Sequence, residues 1–377
     1  MKRIIEKIAL ALGGIIFALA LCESLIWVAP QQLLPPRLQE LIKRMALSRS
    51  TDGMFIPDSE LLFKIRPNYD EVVEHPDYRV RVKTNLNLDG IGFRGGSLGG
   101  PTWAAAVGDS FTFGVGVEQQ DTWVYLLAKG LSREIVNLGI PAQGPAQYTR
   151  VLKRYGLPLR PKVVFYSFYF NDLDATNRFY RMKRTLIPVS RYLRHYSVFY
   201  NLVRDSRVAV APAPAPSAGG AAQPIGDTRA VVAPAAPSAA NDDADQIRRT
   251  LERQDRKFEH RWQLTVKELD AALRASQEAQ IELVMLYLPS RWEIHWEAIK
   301  ARNRLADSLD IDRLRRTVVE YCGARRVACL DLTPVLKHAA RQSKEIYFPI
   351  DGHWNKEGNR LVAEALKEFL TAKGLTG

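Results

Sequence analysis

The sequence predicts an α/β fold in which a parallel β-sheet is covered by helices on both faces. Five short, mostly apolar runs predict strands, at 103–107, 134–138, 162–170, 281–288 and 326–330. Stretches with helical periodicity alternate with these runs, at 122–131, 146–155, 246–279, 298–322 and 357–372. Alternating helices and nearly continuous apolar strands are typical of a parallel sheet buried on both faces. In such a sheet a ligand site lies beyond the carboxyl ends of the strands.

The composition is that of a globular protein with a substantial core. The chain has 377 residues, of which 46% are hydrophobic and 25% charged, enough for one large domain with elaborations. The formal net charge of +12 favours anionic surroundings such as phospholipid headgroups or acidic glycans. The sequence contains no zinc-knuckle spacing, RNP-like motif or helix-turn-helix pattern, so we expect no nucleic-acid partner.

The N-terminal segment has the features of a membrane anchor. Basic residues precede an apolar run at 8–28 that only Glu23 and Ser24 interrupt, and about 20 apolar residues suffice for a helix to span a bilayer. The positive charges before the run predict a cytoplasmic N-terminus. We therefore expect residues 1–29 to form a cytoplasmic tip and one inner-membrane helix, with the rest periplasmic. A signal peptide cleaved near Ala20 is the alternative.

The rest of the chain divides into a leader, a main domain and an insertion. Residues 30–100 are the predicted leader, and 101–372 the main domain. Within that domain, 173–207 is a basic, aromatic cap, interpreted as a solvated face or as a surface that contacts a membrane or an acidic polymer. The Ala- and Pro-rich segment 208–245 has little capacity for packing, so we predict a disordered insertion.

A serine stands where the first strand of the main domain ends. Gly108-Asp109-Ser110 follows the apolar run at 103–107 and precedes a helix. The free amides at a helix N-terminus can receive an anion. A Gly-Asp-Ser tripeptide alone is a common turn, but its strand–turn–helix position predicts that Ser110 is a nucleophile.

A second motif near the C-terminus supplies complementary groups. Asp351-Gly-His353 precedes the last predicted helix and, in a sheet wound in this way, returns to the same edge as Ser110. A serine needs a base near its hydroxyl to be a good nucleophile, and a carboxylate orients the histidine that serves as the base. A capping turn would explain the motif alone; together with Ser110, it predicts a catalytic triad of Ser110, Asp351 and His353.

These motifs resemble the SGNH (GDSL-like) hydrolase superfamily, whose four sequence blocks supply Ser, Gly, Asn and His. Ser110 matches the first block, residues 137–144 the second, Asn171 the third and His353 the fourth. The resemblance extends over roughly residues 80–372 outside the insertion, and implies a flavodoxin-like, three-layer α/β/α sandwich. The anchor and the leader resemble a membrane-anchored bacterial subgroup that includes relatives of alginate O-acetylation proteins.

The resemblance also implies an oxyanion hole. Its donors would be the amide of Ser110, an amide of the second block and the side chain of Asn171. The usual second-block glycine falls on Ala142, with Gly144 two residues later, so either residue is a candidate. In the third block, Tyr169 replaces the usual glycine.

The implied activity is that of a serine esterase or O-acyltransferase. It would act on acetyl or other acyl esters of cell-envelope or exported polysaccharide through an acyl-serine intermediate. No metal or cofactor is expected, and a membrane acyltransferase is a possible partner. The alternative is a non-catalytic scaffold that binds glycan in a polysaccharide acetylation or export complex.

Two smaller features have alternative interpretations. His295 lies between Trp292 and Trp296, where it could line a carbohydrate-stacking surface or mark an ordinary helix start, which the pattern favours. Cys322 and Cys329 could form a disulfide in an exported domain or remain small core residues.

Overall fold

The computed structural model describes residues 53–95, 100–184, 257–303 and 309–376, together with scattered residues between 10 and 39. The chain divides into two compact units. The first, Met1–Gly53 with Lys183–Thr228, is described only in part and includes helical residues at 21–26. The second, Met54–Met182 with Arg229–Gly377, contains the sheet.

About half of the predicted anchor at 8–28 lies outside the described residues. Within the part of the chain that is described, no helix combines the length and the apolar character needed to cross a bilayer. The predicted insertion at 208–245, and the predicted cap beyond Arg184, are likewise outside the described residues.

The described part of the leader forms three antiparallel hairpins. Their strands are β1 (Phe55–Asp58) with β2 (Leu62–Ile65), β3 (Asp70–His75) with β4 (Tyr78–Lys83), and β5 (Leu86–Leu88) with β6 (Ile91–Phe93). The valines of β4 face inward and its basic residues outward, as alternation along a half-exposed strand requires. Ile65, Ile91 and Phe93 are completely buried in a core shared with the main sheet. The hairpins are therefore part of that core.

In the residues that the structure describes, the main sheet has five parallel strands. They are β7 (Ala104–Val107), β8 (Ile135–Asn137), β9 (Val163–Tyr169), β10 (Glu282–Leu288) and β11 (Ala328–Asp331). Their spatial order is β11-β10-β9-β7-β8, and every pairing is parallel. The predicted parallel α/β fold is confirmed. The winding reverses between β7 and β9, which is where open sheets of this kind place their ligand sites.

Helices cover both faces of the sheet. They are α1 (Ser110–Phe113), α2 (Trp123–Leu131), α3 (Pro145–Val151), α4 (Asp172–Arg184), α5 (Phe258–Glu278), α6 (Arg291–Ile294), α7 (Trp296–Asn303), α8 (Arg313–Arg325), α9 (Thr333–Arg341) and α10 (Lys356–Ala372). Alternate residues of β9 enter two separate cores. Tyr166 and Phe168 pack with residues of α3, α5 and α8, whereas Phe165 packs with residues of α2, α9 and α10.

The helices differ from the sequence prediction in several places, among them the segment predicted as a cap, where α4 was not predicted. The predicted helix at 298–322 is wrong, because α7 and α8 are separate helices and residues 309–312 are not helical. There the buried Ile311 is flanked by two aspartates that pair with arginines of α8, which stabilises a turn. The short helix α9 was not predicted from the sequence.

Candidate active site

The nucleophile candidate lies at the first residue of α1, immediately after β7. Asp109 caps this helix, since its carboxylate accepts a hydrogen bond from the amide of Phe111 at 3.0 Å. Ser110 is buried, and its own amide donates no hydrogen bond within the described part of the chain. First-turn amides have no partner inside their helix, so this N–H is free to receive an anion.

The structure brings the three predicted triad residues together. His353 Nε2 lies 2.7 Å from Ser110 Oγ, although the two residues are separated by 243 positions in the sequence. His353 Nδ1 is hydrogen-bonded to Asp351 Oδ1, and the same oxygen accepts the backbone amide of His353 at 3.1 Å. The arrangement is that of a nucleophile, a base and an orienting carboxylate.

Residues after the histidine fix the loop that carries it. Trp354 is buried and its ring lies 4.8 Å from that of Phe111. Asn355 caps α10, because its side-chain oxygen accepts the amide of Gly358 at 3.0 Å. Trp354 and Asn355 therefore anchor the catalytic loop (residues 342–355) to α1 on one side and to α10 on the other.

The charges of the triad favour a histidine base. Burial by itself would raise the pKa of Asp351, but the charge of His353 and hydrogen bonds from His353 and Tyr78 lower it to about 2. Burial would lower the pKa of His353, but the charge and hydrogen bond of Asp351 and the charge of Asp109 raise it above its ordinary value. The carboxylate thus stays ionised and the imidazole is a stronger base than usual.

Two further carboxyl groups are buried beneath the site. Burial raises the pKa of Asp109 to about 6, even though the Phe111 amide and the charge of His353 oppose the shift. Burial, and then the charge of Asp109, raise the pKa of Asp172 well above its ordinary value. The site therefore contains the buried carboxyl groups of Asp109 and Asp172 in addition to that of Asp351.

The second sequence block contributes one available amide. Ala142 has a φ of 65°, the left-handed conformation that favours glycine, and its amide donates no hydrogen bond within the described residues. The amide of Gly144 instead donates to the side chain of Gln147 at 3.3 Å. Of the two oxyanion-hole candidates, only Ala142 has an amide available for a substrate.

Asp172 holds the turn that carries Asn171. Its carboxylate accepts the amide of Tyr169 and the hydroxyl of Tyr148, both at 2.9 Å. The side-chain oxygen of Asn171 is buried and has no hydrogen-bond partner among the described residues. The Tyr169 ring, at the family's glycine position, is buried 4.3 Å from the ring of Phe111, so it supports the floor of the site.

Two leader residues that no sequence motif had indicated contact the catalytic loop. The hydroxyl of Tyr78 donates to Asp351 Oδ2 at 3.0 Å. The carboxylate of Asp77 accepts the amides of Ile350 and Asp351 at 2.8 Å and 2.7 Å. The alternation at residues 79–83 indicated the strand, but no local pattern indicated its partner more than 270 residues away.

A buried arginine of the leader holds the segment that follows the nucleophile. Arg94 donates to the carbonyls of Phe113, Gly114 and Val117, and burial lowers its pKa to about 10. The sequence marked this region only by its glycines. The leader therefore contacts both halves of the candidate site.

The smaller features are structural. Trp292 and Trp296 are buried, and the ring of His295 lies 6.5 Å from that of Tyr347, so these residues form a helical turn and not an exposed stacking surface. Cys322 and Cys329 are free thiols, the first buried and the second half-buried. Within the described ranges, no group of three or more His, Cys, Asp or Glu side chains is arranged to hold a metal ion.

One protein family matches part of the chain. Residues 239–377 match the family described as "SGNH hydrolase-like domain, acetyltransferase AlgX", and this segment contains Asp351 and His353. Over these residues the chain is similar to the SGNH hydrolase-like domain of the acetyltransferase AlgX. The predicted resemblance is confirmed, and it supports an ester hydrolase or O-acetyltransferase activity.

Solved structures with similar descriptions share little sequence with this chain. A member of the lipolytic protein G-D-S-L family from Veillonella parvula DSM 2008 is 12% identical; the alignment covers 71% of this chain and 97% of that one, with a TM-score of 0.38. The acetyl xylan esterase AlAXEase is 14% identical, with 70% and 98% covered and a TM-score of 0.39. No curated protein sequence is significantly similar to the chain.

Proposed function

We propose that the protein is a serine esterase or O-acyltransferase that acts on acyl esters of cell-envelope or exported polysaccharide. The observation that carries this proposal is the 2.7 Å contact between Ser110 Oγ and His353 Nε2, in a site where Asp351 orients the histidine. A serine with such a base is suited to attack an ester carbonyl. The similarity to an acetyltransferase domain supports acetyl as the acyl group.

In the first half-reaction, Ser110 Oγ attacks the carbonyl carbon while His353 Nε2 removes the hydroxyl proton. The negative charge moves to the carbonyl oxygen, where the amides of Ser110 and Ala142 and the side chain of Asn171 act as donors. Collapse of this intermediate breaks the ester bond, and His353 returns the proton to the departing alcohol. The product is an acyl group bound to Ser110.

In the second half-reaction, another hydroxyl attacks the acyl-serine. His353 again removes a proton, and Ser110 leaves with the proton that His353 then donates. Water as the attacking group gives hydrolysis, whereas a sugar hydroxyl gives transfer. The same residues serve both outcomes, so the acceptor decides between esterase and transferase.

We further propose that the apolar segment at 8–28 anchors the protein in the inner membrane with its catalytic domain in the periplasm. The basic residues before this segment support that orientation. An anchored domain in this compartment would meet exported polysaccharide as it emerges. A membrane acyltransferase that supplies acyl groups is the partner this arrangement suggests.

Substitution of the nucleophile tests the proposed chemistry. For Ser110→Ala we expect kcat/KM for p-nitrophenyl acetate to fall at least about a thousandfold, because among the described residues only the Ser110 hydroxyl is hydrogen-bonded to His353. Acetyl release from acetylated polysaccharide and acetyl transfer to the unmodified polymer are measured in parallel, to separate hydrolysis from transfer. Ser59→Ala, in an exposed turn, is the matched control.

A fluorophosphonate probe separates catalysis from the scaffold alternative. The wild-type protein is expected to form a covalent adduct at Ser110, and Ser110→Ala to form none. Full activity in Ser110→Ala would refute the proposal. A wild-type protein that binds acetylated glycan, but neither reacts with the probe nor turns over an ester, would favour the non-catalytic scaffold.

A further inference from the structure

The hydrogen-bond chain of the candidate triad does not end at its carboxylate. One oxygen of Asp351 is bonded to His353, and the other accepts the hydroxyl of Tyr78 at 3.0 Å. Tyr78 begins β4 of the leader. The chain of contacts therefore runs from Tyr78 through Asp351 and His353 to Ser110, with both carboxylate oxygens occupied.

Packing fixes the Tyr78 ring in the position that this hydrogen bond requires. The ring of His75 is stacked on it at 4.9 Å, and that of Phe348, in the catalytic loop, lies 5.0 Å away. Gly116 completes the enclosure, because a Cβ there would lie 2.5 Å from Phe348 and 2.9 Å from Tyr78. The segment after the nucleophile, the leader and the catalytic loop thus meet around one ring.

The neighbouring residue holds the backbone of the same loop. The Asp77 carboxylate accepts the amides of Ile350 and Asp351, and the amide of Asp77 donates to His75 Nδ1 at 3.2 Å. The turn between β3 and β4 therefore fixes the main chain of Asp351, while Tyr78 fixes its side chain.

We propose that Tyr78 is a positioning residue of the candidate active site, which sets the rotation of the Asp351 carboxylate and, through it, the direction in which His353 faces Ser110. This inference rests on the proposed function. A carboxylate held at only one oxygen can rotate about its Cβ–Cγ bond, and a small misalignment of reacting groups is costly to catalysis. Removal of the hydroxyl would also leave a largely buried carboxylate oxygen without its donor.

The test is Tyr78→Phe in the full chain, which keeps the ring and removes the hydroxyl. We expect kcat for p-nitrophenyl acetate to fall about tenfold, since a hydrogen bond to a charged group is lost, while KM changes less than about twofold because Tyr78 does not contact the substrate. Tyr125→Phe is the matched control, because Tyr125 is an exposed residue of α2. Thermal midpoints of both variants are measured alongside the kinetics.

Proton NMR gives a second readout that a merely structural role would not change. The low-field resonance of the His353 Nδ1 proton is expected to move in Tyr78→Phe and to stay in place in Tyr125→Phe. A wild-type kcat together with an unmoved resonance would overturn the inference, as would a loss of kcat that merely follows the folded fraction. If no form of the protein turns over ester, the proposed function fails, and the resonance still tests the position of Asp351.

Discussion

Asp109, the residue before Ser110, has two opposed effects on the stability of the fold. Its carboxylate caps the helix that begins with Ser110, which stabilises the helix terminus. It is also fully buried, and burial raises its pKa to about 6. Ionisation of a carboxyl whose folded pKa is raised lowers stability as the pH rises between its unfolded and folded pKa values.

Replacement of Asp109 by asparagine should therefore shift the pH dependence of catalysis. The charge of Asp109 helps to raise the pKa of His353, and His353 must be neutral to accept the serine proton. Wild-type activity is thus expected to fall as the pH drops through this raised pKa. In Asp109→Asn the acid limb of kcat/KM should move to lower pH, as measured by ester hydrolysis from pH 5 to 9.

The same variant should be more stable than the wild type above about pH 6 and no more stable below about pH 4, where both side chains are uncharged. The side-chain oxygen of asparagine can still accept the Phe111 amide, so the cap is retained. Asp270→Asn, on α5 and hydrogen-bonded to Arg325, is the control. An acid limb unchanged in Asp109→Asn would contradict the assigned coupling to His353.

At the scale of single residues, the sequence predicted the candidate triad because each member lies in a short motif. The Ser110 motif follows a strand, and the Asp351 and His353 motif precedes a helix. The support from Tyr78 could not be predicted, since it depends on a contact between residues 273 positions apart. Whether Ala142 or Gly144 has an available amide also depends on backbone conformation. The family pattern alone did not distinguish these two residues.

At the scale of elements, the second block packs directly on α1. Gly139 lies where a Cβ would collide with the backbone of Thr112 and Phe113. The side chain of Asn137 strengthens this contact, because it donates to the carbonyl of Thr112 at 2.7 Å and accepts the amide of Gly139 at 3.0 Å. The loop that carries Ala142 therefore has a fixed distance from the helix that carries Ser110.

Gly139→Ala should break this contact. A methyl group forced against backbone atoms is expected to destabilise the fold by about 1–3 kcal/mol and to lower kcat through displacement of the oxyanion loop. Urea unfolding and ester hydrolysis measure the two effects. The control is Gly130→Ala in α2, where the nearest atom to a Cβ is 3.7 Å away and a gain of up to about 1 kcal/mol is expected. Equal stability of the two variants would contradict this account.

The strands were predictable as elements because their apolar runs are continuous, and the observed bounds differ by only one or two residues from the predicted ones. The break between α7 and α8 could not be predicted, because the sequence contains no glycine or proline near Ile311. The leader hairpins were only partly predictable. Their strands have three to six residues, and short strands acquire their stability from the core they join.

At the scale of the whole molecule, the leader from Met54 and the main sheet belong to one compact unit, Met54–Met182 with Arg229–Gly377. A chain that begins at Met54 is therefore expected to fold and to keep its esterase activity. If residues 8–28 are an anchor, the full chain sediments with membranes and the shortened chain does not. Fractionation and an ester assay on both chains test this expectation.

A chain that begins at residue 101 is the contrasting case. It lacks the buried leader side chains, including Ile65, Ile91 and Phe93, and it lacks the hydrogen bonds that Asp77 accepts from the catalytic loop and that Tyr78 donates to it. Exposure of the core that these side chains cover should make it aggregate. A soluble and fully active chain of this length would show that the leader is dispensable.

The separation of 243 positions between Ser110 and His353 has a consequence for the newly made protein. During synthesis Ser110 is made first, and more than half the length of the protein must be added before His353 is present. Tyr78 precedes Asp351 by an even longer stretch of chain, 273 positions. The nascent chain therefore lacks a complete triad of Ser110, Asp351 and His353. The triad forms only when the last loop and α10 pack onto the sheet.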